Sequence, residues 1–105
     1  MKKIIIALTL LSLLAVNRGF ADDKKIVFIA GNPSHGPGEH EHRAGLLLFQ
    51  KCLTNFPGVQ IEVCSNGWPA DPKMLQGAAA VLIYSDGGDG HPALQDGHLA
   101  ELGAL

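Results

Sequence analysis

Lys25-Ile26-Val27-Phe28-Ile29-Ala30 is a nearly continuous apolar run, and residues 79–84 (Ala-Ala-Val-Leu-Ile-Tyr) form a second one. Such runs are typical of parallel strands that helices cover on both faces. Residues 59–63 (Val-Gln-Ile-Glu-Val) alternate apolar and polar side chains, which indicates a strand with one face half exposed, as at a sheet edge. The order strand, helix, strand, helix, strand, helix therefore predicts an α/β fold with a doubly wound parallel sheet of order 2-1-3.

Three helices are predicted around these strands. Helical periodicity over residues 43–56 predicts one broad apolar arc, which contains Leu46, Leu48, Phe49, Cys52, Leu53 and Phe56. Pro57-Gly58 is expected to end this helix. Asp71 is the expected N-cap of a short second helix that begins at Pro72. A third helix is expected to start near Pro92 and to run to Leu105.

The first residues have the three parts of a secretory signal peptide. Met1-Lys2-Lys3 is basic, residues 4–16 are mostly apolar, and Gly19-Phe20-Ala21 is a small-residue cleavage site. We predict a signal peptide at residues 1–21, so the mature protein is expected to be exported, periplasmic or extracellular. The apolar run is shorter than the ~20 residues that a bilayer requires, so no stable membrane span is expected after cleavage.

Residues 22–105 are acidic, with five basic and ten acidic side chains and a net charge of −5. This charge repels phosphate backbones and anionic lipid, so nucleic acid is not expected as a partner. A sheet that ended at residues 79–84 would leave a wholly apolar edge, which favours aggregation. We therefore expect residues 22–105 to be the N-terminal part of a longer domain, truncated after the third strand and its helix. The sequence does not indicate the oligomeric state.

Polar loops follow the first and third predicted strands, where the strand order of the sheet reverses and ligands of such sheets bind. The side chains expected to converge there on one crevice are His35, Glu39, His40, His42, Asp86, Asp89 and His91. Gly87 and Gly88 allow the backbone to approach a ligand closely. Trp68 follows the second strand and would add an aromatic wall, although a lone tryptophan is also typical of a packed loop anchor.

Two reactive chemistries fit the histidines of this crevice. Imidazole and carboxylate groups at His40 and His42, with His35 or Asp86, suit zinc or another divalent transition metal. The second chemistry is metal-free proton transfer, in which a carboxylate orients one histidine. Cys52 is expected to face the core, and Cys64 closes an edge strand, so neither thiol is placed as a nucleophile.

Two further interpretations need no reaction. Glu39, Asp86 and Asp89 are acceptors suited to a hydroxyl-rich ligand, with Trp68 as a stacking surface. Alternatively, the loops are only glycine-rich connections with solvated histidines and with acidic residues that cap helix N-termini. Gly36 and Gly38 lack the remaining residues of a dinucleotide fingerprint or a P-loop, so no nucleotide site is predicted.

Several of these segments together resemble the ThuA-like (trehalose utilisation) domain family. The segments are residues 25–31, residues 35–42, Asn66-Gly67-Trp68-Pro69 and Asp86-Gly87-Gly88. The similarity covers nearly all of residues 25–105 and is strongest over residues 34–43. It implies a flavodoxin-like, class I glutamine amidotransferase-like fold and a role in carbohydrate metabolism, on keto-sugars or glycosides.

The resemblance also implies roles for particular residues. His40 and His42 match the histidine-bearing segment after the family's first strand, and Asp86-Gly87-Gly88 matches the loop after its third strand. The catalytic candidates are therefore His40, His42 and Asp86, and the metal-ligand candidates are His40 and His42. The ligand-binding candidates come from the predicted crevice and its aromatic wall, and they are His35, Glu39, Trp68, Gly87, Gly88, Asp89 and His91. The expected function is to bind or act on a sugar-derived ligand; the alternative is a non-catalytic carbohydrate-binding or interaction module that uses the same crevice.

Overall fold

Three parallel strands form the sheet in the computed structural model, which describes residues 22–105. They are β1 (Lys24–Ala30), β2 (Val59–Cys64) and β3 (Ala78–Tyr84), in the order β2-β1-β3. Helix α1 (His42–Leu53) connects β1 to β2, and helix α2 (His98–Gly103) follows β3. The predicted α/β class, parallel pairing and strand order are confirmed. The predicted signal peptide at residues 1–21 lies outside the described residues.

β1 is the central strand, and its side chains supply both hydrophobic cores. Val27 and Ile29 point to one face of the sheet, where they pack with Leu75. Phe28 and Ala30 point to the other face, where they pack with Leu46 of α1. Because successive side chains of a strand alternate between faces, a continuous apolar run is the pattern that two-sided burial requires.

α1 differs from its prediction in length and in the face that it buries. It ends at Leu53, with Thr54 at its C-cap, and does not continue to Phe56. The prediction that Cys52 faces the core is wrong, because Cys52 is exposed. The sheet-facing stripe contains His42, Leu46, Gln50 and Leu53.

A narrow sheet explains this difference. Gln50 is polar, yet it is half-buried, and its amide donates a hydrogen bond to the Ile61 carbonyl at 3.1 Å. Leu48 and Phe49 are 62% and 56% exposed. The three strands cover only one stripe of the helix, so the rest of the predicted apolar arc faces solvent in the described part of the chain.

The second and third predicted helices are shorter than expected. Asp71 caps as predicted, since its side chain accepts a hydrogen bond from the Lys73 N–H, but the segment is a 3-10 turn at Pro72–Met74. The predicted continuous helix from Pro92 is wrong, because a 3-10 turn at Pro92–Leu94 is followed by extended Gln95. Gly97 then adopts a left-handed conformation (φ +83°) before α2 begins.

β3 is an edge strand among the described residues. Val81 and Ile83 pack against the core that contains Val27 and Ile29. On the other face, Leu82 and Tyr84 are 41% and 44% exposed, so the expectation that helices cover both faces of this strand is wrong here. No helix within residues 22–105 is long and apolar enough to cross a bilayer.

The buried contact of α1 predicts a clear stability difference between two leucines of the same helix. Leu46→Ala removes a side chain that is only 1% exposed, and we expect a loss of about 2–5 kcal/mol in the free energy of unfolding. Leu48→Ala, at an exposed position, is expected to change it by less than about 0.5 kcal/mol. Urea denaturation measures both values, and equal losses would contradict the packing of α1 described here.

Candidate functional site

The loops after β1 and β3 meet at the carboxyl end of the sheet. The Gly31 N–H donates a hydrogen bond to the Tyr84 carbonyl at 2.8 Å, which extends the β1–β3 pairing into the loops. A Cβ atom at Gly31 would lie 2.5 Å from Cβ of Ser85, closer than such atoms can approach. Glycine at this position therefore allows Asp86, next to Ser85, to reach the residues of the first loop.

The first loop, residues 31–41, is shaped by its own acidic side chains. The Glu39 carboxylate accepts a hydrogen bond from the Gly36 N–H at 3.2 Å, and the Glu41 carboxylate accepts one from the Gly38 N–H at 2.9 Å. Glu39, a predicted ligand-binding residue, thus already supports the loop backbone. Side-chain contacts of this kind stabilise turns that have no other regular hydrogen bonding.

Two histidines of this loop have left-handed backbones. His35 has φ +61° and His40 has φ +46°, a region in which a side chain crowds the backbone at a cost of roughly 1–3 kcal/mol each. This conformation brings the two rings into an edge-on contact with centroids 4.2 Å apart. Ser34 Oγ lies 3.4 Å from His40 Nδ1.

Asp86 connects the second loop to these histidines. Its Oδ1 lies 2.6 Å from His40 Nδ1 and 3.4 Å from His42 Nε2. The Ser34 hydroxyl contributes most to lowering the pKa of the Asp86 carboxyl, and His40 and His42 lower it further, while partial desolvation opposes them. The carboxylate is therefore held in its charged form beside two imidazoles.

His42 is the buried member of the group. Its side chain is 3% exposed, and its ring packs edge-on against Tyr84 with centroids 4.9 Å apart. His42 Nδ1 is buried without a hydrogen-bond partner among the described residues. Because α1 begins at His42, the helix fixes this ring in place, and Asp86 meets a rigid imidazole on one side and an exposed one on the other.

Two cavities adjoin this group. The histidine cavity, about 420 Å³, is lined by His35, His40 and His42 and reaches Ser65 and Asn66 after β2. The aspartate cavity, about 300 Å³, lies between the first loop and Asp86, Gly87 and Gly90. Ser34 lines both cavities. The sequence predicted one crevice between β1 and β3, whereas the larger cavity opens toward β2.

The remaining predicted residues lie elsewhere. Trp68 stacks on His98 of α2, with ring centroids 4.2 Å apart and planes 4° from parallel, and its Nε1 donates to Glu101 Oε2 at 2.9 Å. This tryptophan is a packed anchor for α2. His91 Nδ1 accepts a hydrogen bond from the Ala93 N–H and caps the following 3-10 turn.

The tip of the second loop is a turn. Gly88 has φ +76°, and its carbonyl accepts a hydrogen bond from the His91 N–H at 3.1 Å. The Asp89 carbonyl accepts a hydrogen bond from the Gln95 side chain. Neither Gly88 nor Asp89 lines the two cavities, whereas Glu39 lines the histidine cavity and Gly87 the aspartate cavity. Of the predicted set, the side chains in mutual contact are those of His35, His40, His42 and Asp86.

Ser34 is the site residue that sequence reasoning passed over. Serine is common in glycine- and proline-rich loops, so its presence there carries no signal by itself. Its importance comes from the fold, which places its hydroxyl between His40 and Asp86. A polar residue next to a predicted histidine cluster is the only sequence feature that could have pointed to it.

Comparisons of this chain with family models, with curated proteins and with solved structures found no match. The resemblance to ThuA-like domains therefore stays a prediction from the residues quoted above.

Substitution by alanine is expected to affect protein stability differently at two glycines of the site. At Gly31 the added methyl group overlaps Ser85, and we expect a loss of about 1–3 kcal/mol in the free energy of unfolding. At Gly87 no atom of residues 22–105, apart from Gly87 and its two chain neighbours, lies within 4 Å of an added Cβ, so we expect a change below about 0.5 kcal/mol. Urea unfolding of both variants measures the difference. A Gly31→Ala protein as stable as the Gly87→Ala protein would disprove the close approach of the two loops.

Proposed function

We propose that this protein binds a sugar-derived small molecule in the histidine cavity. The observation that carries the proposal is the contact between His40 Nδ1 and Asp86 Oδ1 at 2.6 Å, because His40 lines a cavity of about 420 Å³. Pockets for small molecules have volumes from roughly 300 to 1,000 Å³. The identity of the ligand as a keto-sugar or glycoside follows from the resemblance to ThuA-like domains.

The lining of the cavity suits a hydroxyl-rich molecule. Imidazole nitrogens both donate and accept hydrogen bonds, depending on the tautomer, and His35 and His40 are exposed. Ser34 and Asn66 add a hydroxyl and an amide to the same lining. A sugar hydroxyl is itself a donor and an acceptor. The donors and acceptors of the cavity lining can therefore form hydrogen bonds with it in more than one orientation.

The His40–Asp86 pair has the arrangement of a proton-transfer site. Asp86 holds Nδ1 of His40, so Nε2 is the ring nitrogen that faces a ligand and takes a proton from its hydroxyl group. The negative charge of Asp86 stabilises the imidazolium that results. In this role His40 is the catalytic residue, while Asp86 and the buried His42 position it.

The openness of the site favours a second candidate function, a binding module without turnover. The side chains of His40 and Asp86 are 47% and 38% exposed, so water reaches both members of the pair. Water-exposed groups gain less from electrostatic stabilisation of a reacting molecule than groups in a closed site do. The same hydrogen bonds would still recognise a sugar.

Binding and turnover of a sugar test the proposal and separate the two candidate functions. The intact chain is titrated with methyl α-glucoside and with its 3-keto derivative, and binding is followed by amide NMR. We expect shifts in residues 33–43, Ser65 and Asn66. His40→Ala should weaken binding about tenfold or more, because the ligand loses its hydrogen bond to the imidazole. His98→Gln, a histidine removed outside the cavity, should leave the affinity within about twofold.

The NMR time course then decides between catalysis and binding. Conversion of the sugar that His40→Ala abolishes supports the enzyme, whereas binding with unchanged sugar spectra supports the module. Amide shifts confined to α2 and the residues around Trp68, or no shifts for either sugar, would refute a ligand site in the histidine cavity.

A further inference from the structure

We propose that His35, His40 and Asp86 form a binding site for a divalent transition-metal ion, with Zn²⁺ as the matching ion. Each of the three side chains offers one ligand atom, and these atoms lie within 4.8 Å of one another. Around a tetrahedral zinc ion, bonds of about 2.0–2.1 Å place neighbouring ligand atoms about 3.3 Å apart. Small rotations of these side chains would therefore bring the three ligand atoms to the distances that a zinc ion requires.

The contact between His40 and Asp86 marks where the ion would enter. At 2.6 Å, the two atoms are closer than two ligands of one ion, so the pair would open by less than about 1 Å. The ion would bind between these two atoms. Zinc binds neutral imidazole and charged carboxylate, so binding releases protons from such a site.

The ligand set differs from the His40–His42 pair expected from spacing. The His40 and His42 rings have centroids 6.0 Å apart, and His42 is the first residue of α1 and packs against Tyr84. His35, in contrast, touches the His40 ring at 4.2 Å. His42 Nε2 instead lies 3.4 Å from Asp86 Oδ1. In the proposed site His42 would not bind the ion but would hold the metal-binding carboxylate in position.

Backbone strain gives a second reason for a cation here. Both His35 and His40 have positive φ, a conformation that glycine adopts without steric cost. The loop contains glycines at other positions but has histidines at these two. The strained backbone brings two imidazoles to a carboxylate. An ion bound between them offsets the strain, because it forms three strong bonds that solvated side chains do not have.

The donor chemistry selects the class of ion. Two imidazoles and one carboxylate suit zinc and the neighbouring first-row metals, whereas Mg²⁺ and Ca²⁺ prefer sites made mainly of oxygen ligands. Three protein ligands leave one position of a tetrahedral ion for an oxygen atom of another molecule. That a sugar oxygen fills this position rests on the proposed function, but binding of the ion itself does not.

Calorimetric titration with zinc chloride tests the site on the intact chain, after treatment with a chelator and without any sugar. We expect one Zn²⁺ per chain and no heat from Mg²⁺ under the same conditions. His35→Ala and Asp86→Asn should each weaken Zn²⁺ binding about tenfold or more. Asp96→Asn and His98→Gln remove the same kinds of side chain elsewhere and should change the affinity less than about twofold.

Two further measurements check the folding of the variants and the coordination of the metal ion. Circular dichroism shows whether each variant is folded, and the visible spectrum of the Co²⁺-loaded protein should show the intense bands of four-coordinate cobalt, lost in His35→Ala. Absence of stoichiometric Zn²⁺ binding would overturn the site, as would binding that His35→Ala and Asp86→Asn leave unchanged. Zn²⁺ binding without sugar binding would refute only the proposed function, and sugar binding without Zn²⁺ binding would refute only the metal site.

Discussion

Gly31 donates its N–H to the Tyr84 carbonyl and leaves no room for a side chain against Ser85, so the loops after β1 and β3 lie against each other. The contacts of Asp86 with His40 and His42 depend on this approach. It places Asp86 beside histidines that are more than forty residues earlier in the chain. The order β2-β1-β3 creates the approach, because a central β1 has β3 as its direct neighbour.

The site combines a rigid inner part and an accessible outer part. His42 is fixed by α1 and by Tyr84, and it presents one nitrogen toward the Asp86 carboxylate. His35 and His40 stand in the exposed loop, whose shape depends on glutamate contacts to its own backbone. The site therefore has one fixed histidine beneath two histidines that solvent reaches.

The sequence predicted the sheet well because a strand that is buried on both faces needs apolar residues at successive positions. β1 is apolar at successive positions, and its place in the centre follows from that pattern. The buried face of α1 could not be predicted in the same way. Cys52 is exposed and Gln50 is half-buried because the width of the sheet, not the helix itself, determines which stripe is covered.

The candidate site was predicted in part for a similar reason. Strand order indicates that the loops after β1 and β3 meet, so the association of Asp86 with His40 and His42 followed from topology. Whether a side chain in such a loop faces the site depends on the local backbone and its hydrogen bonds. Trp68 and His91 point to other partners for this reason, and Ser34 enters the site.

The contact between Asp86 and His40 joins the two loops of the site, and histidine NMR tests it most directly. Imidazole nitrogen spectra of the metal-free protein and of the Asp86→Asn variant are compared at the same pH. We predict a change in the ring-nitrogen signals of His40, a smaller change at His42 and none at His98. A His40 spectrum that is identical in both proteins would show that the two loops do not meet as described, and it would remove the basis of the proposed site.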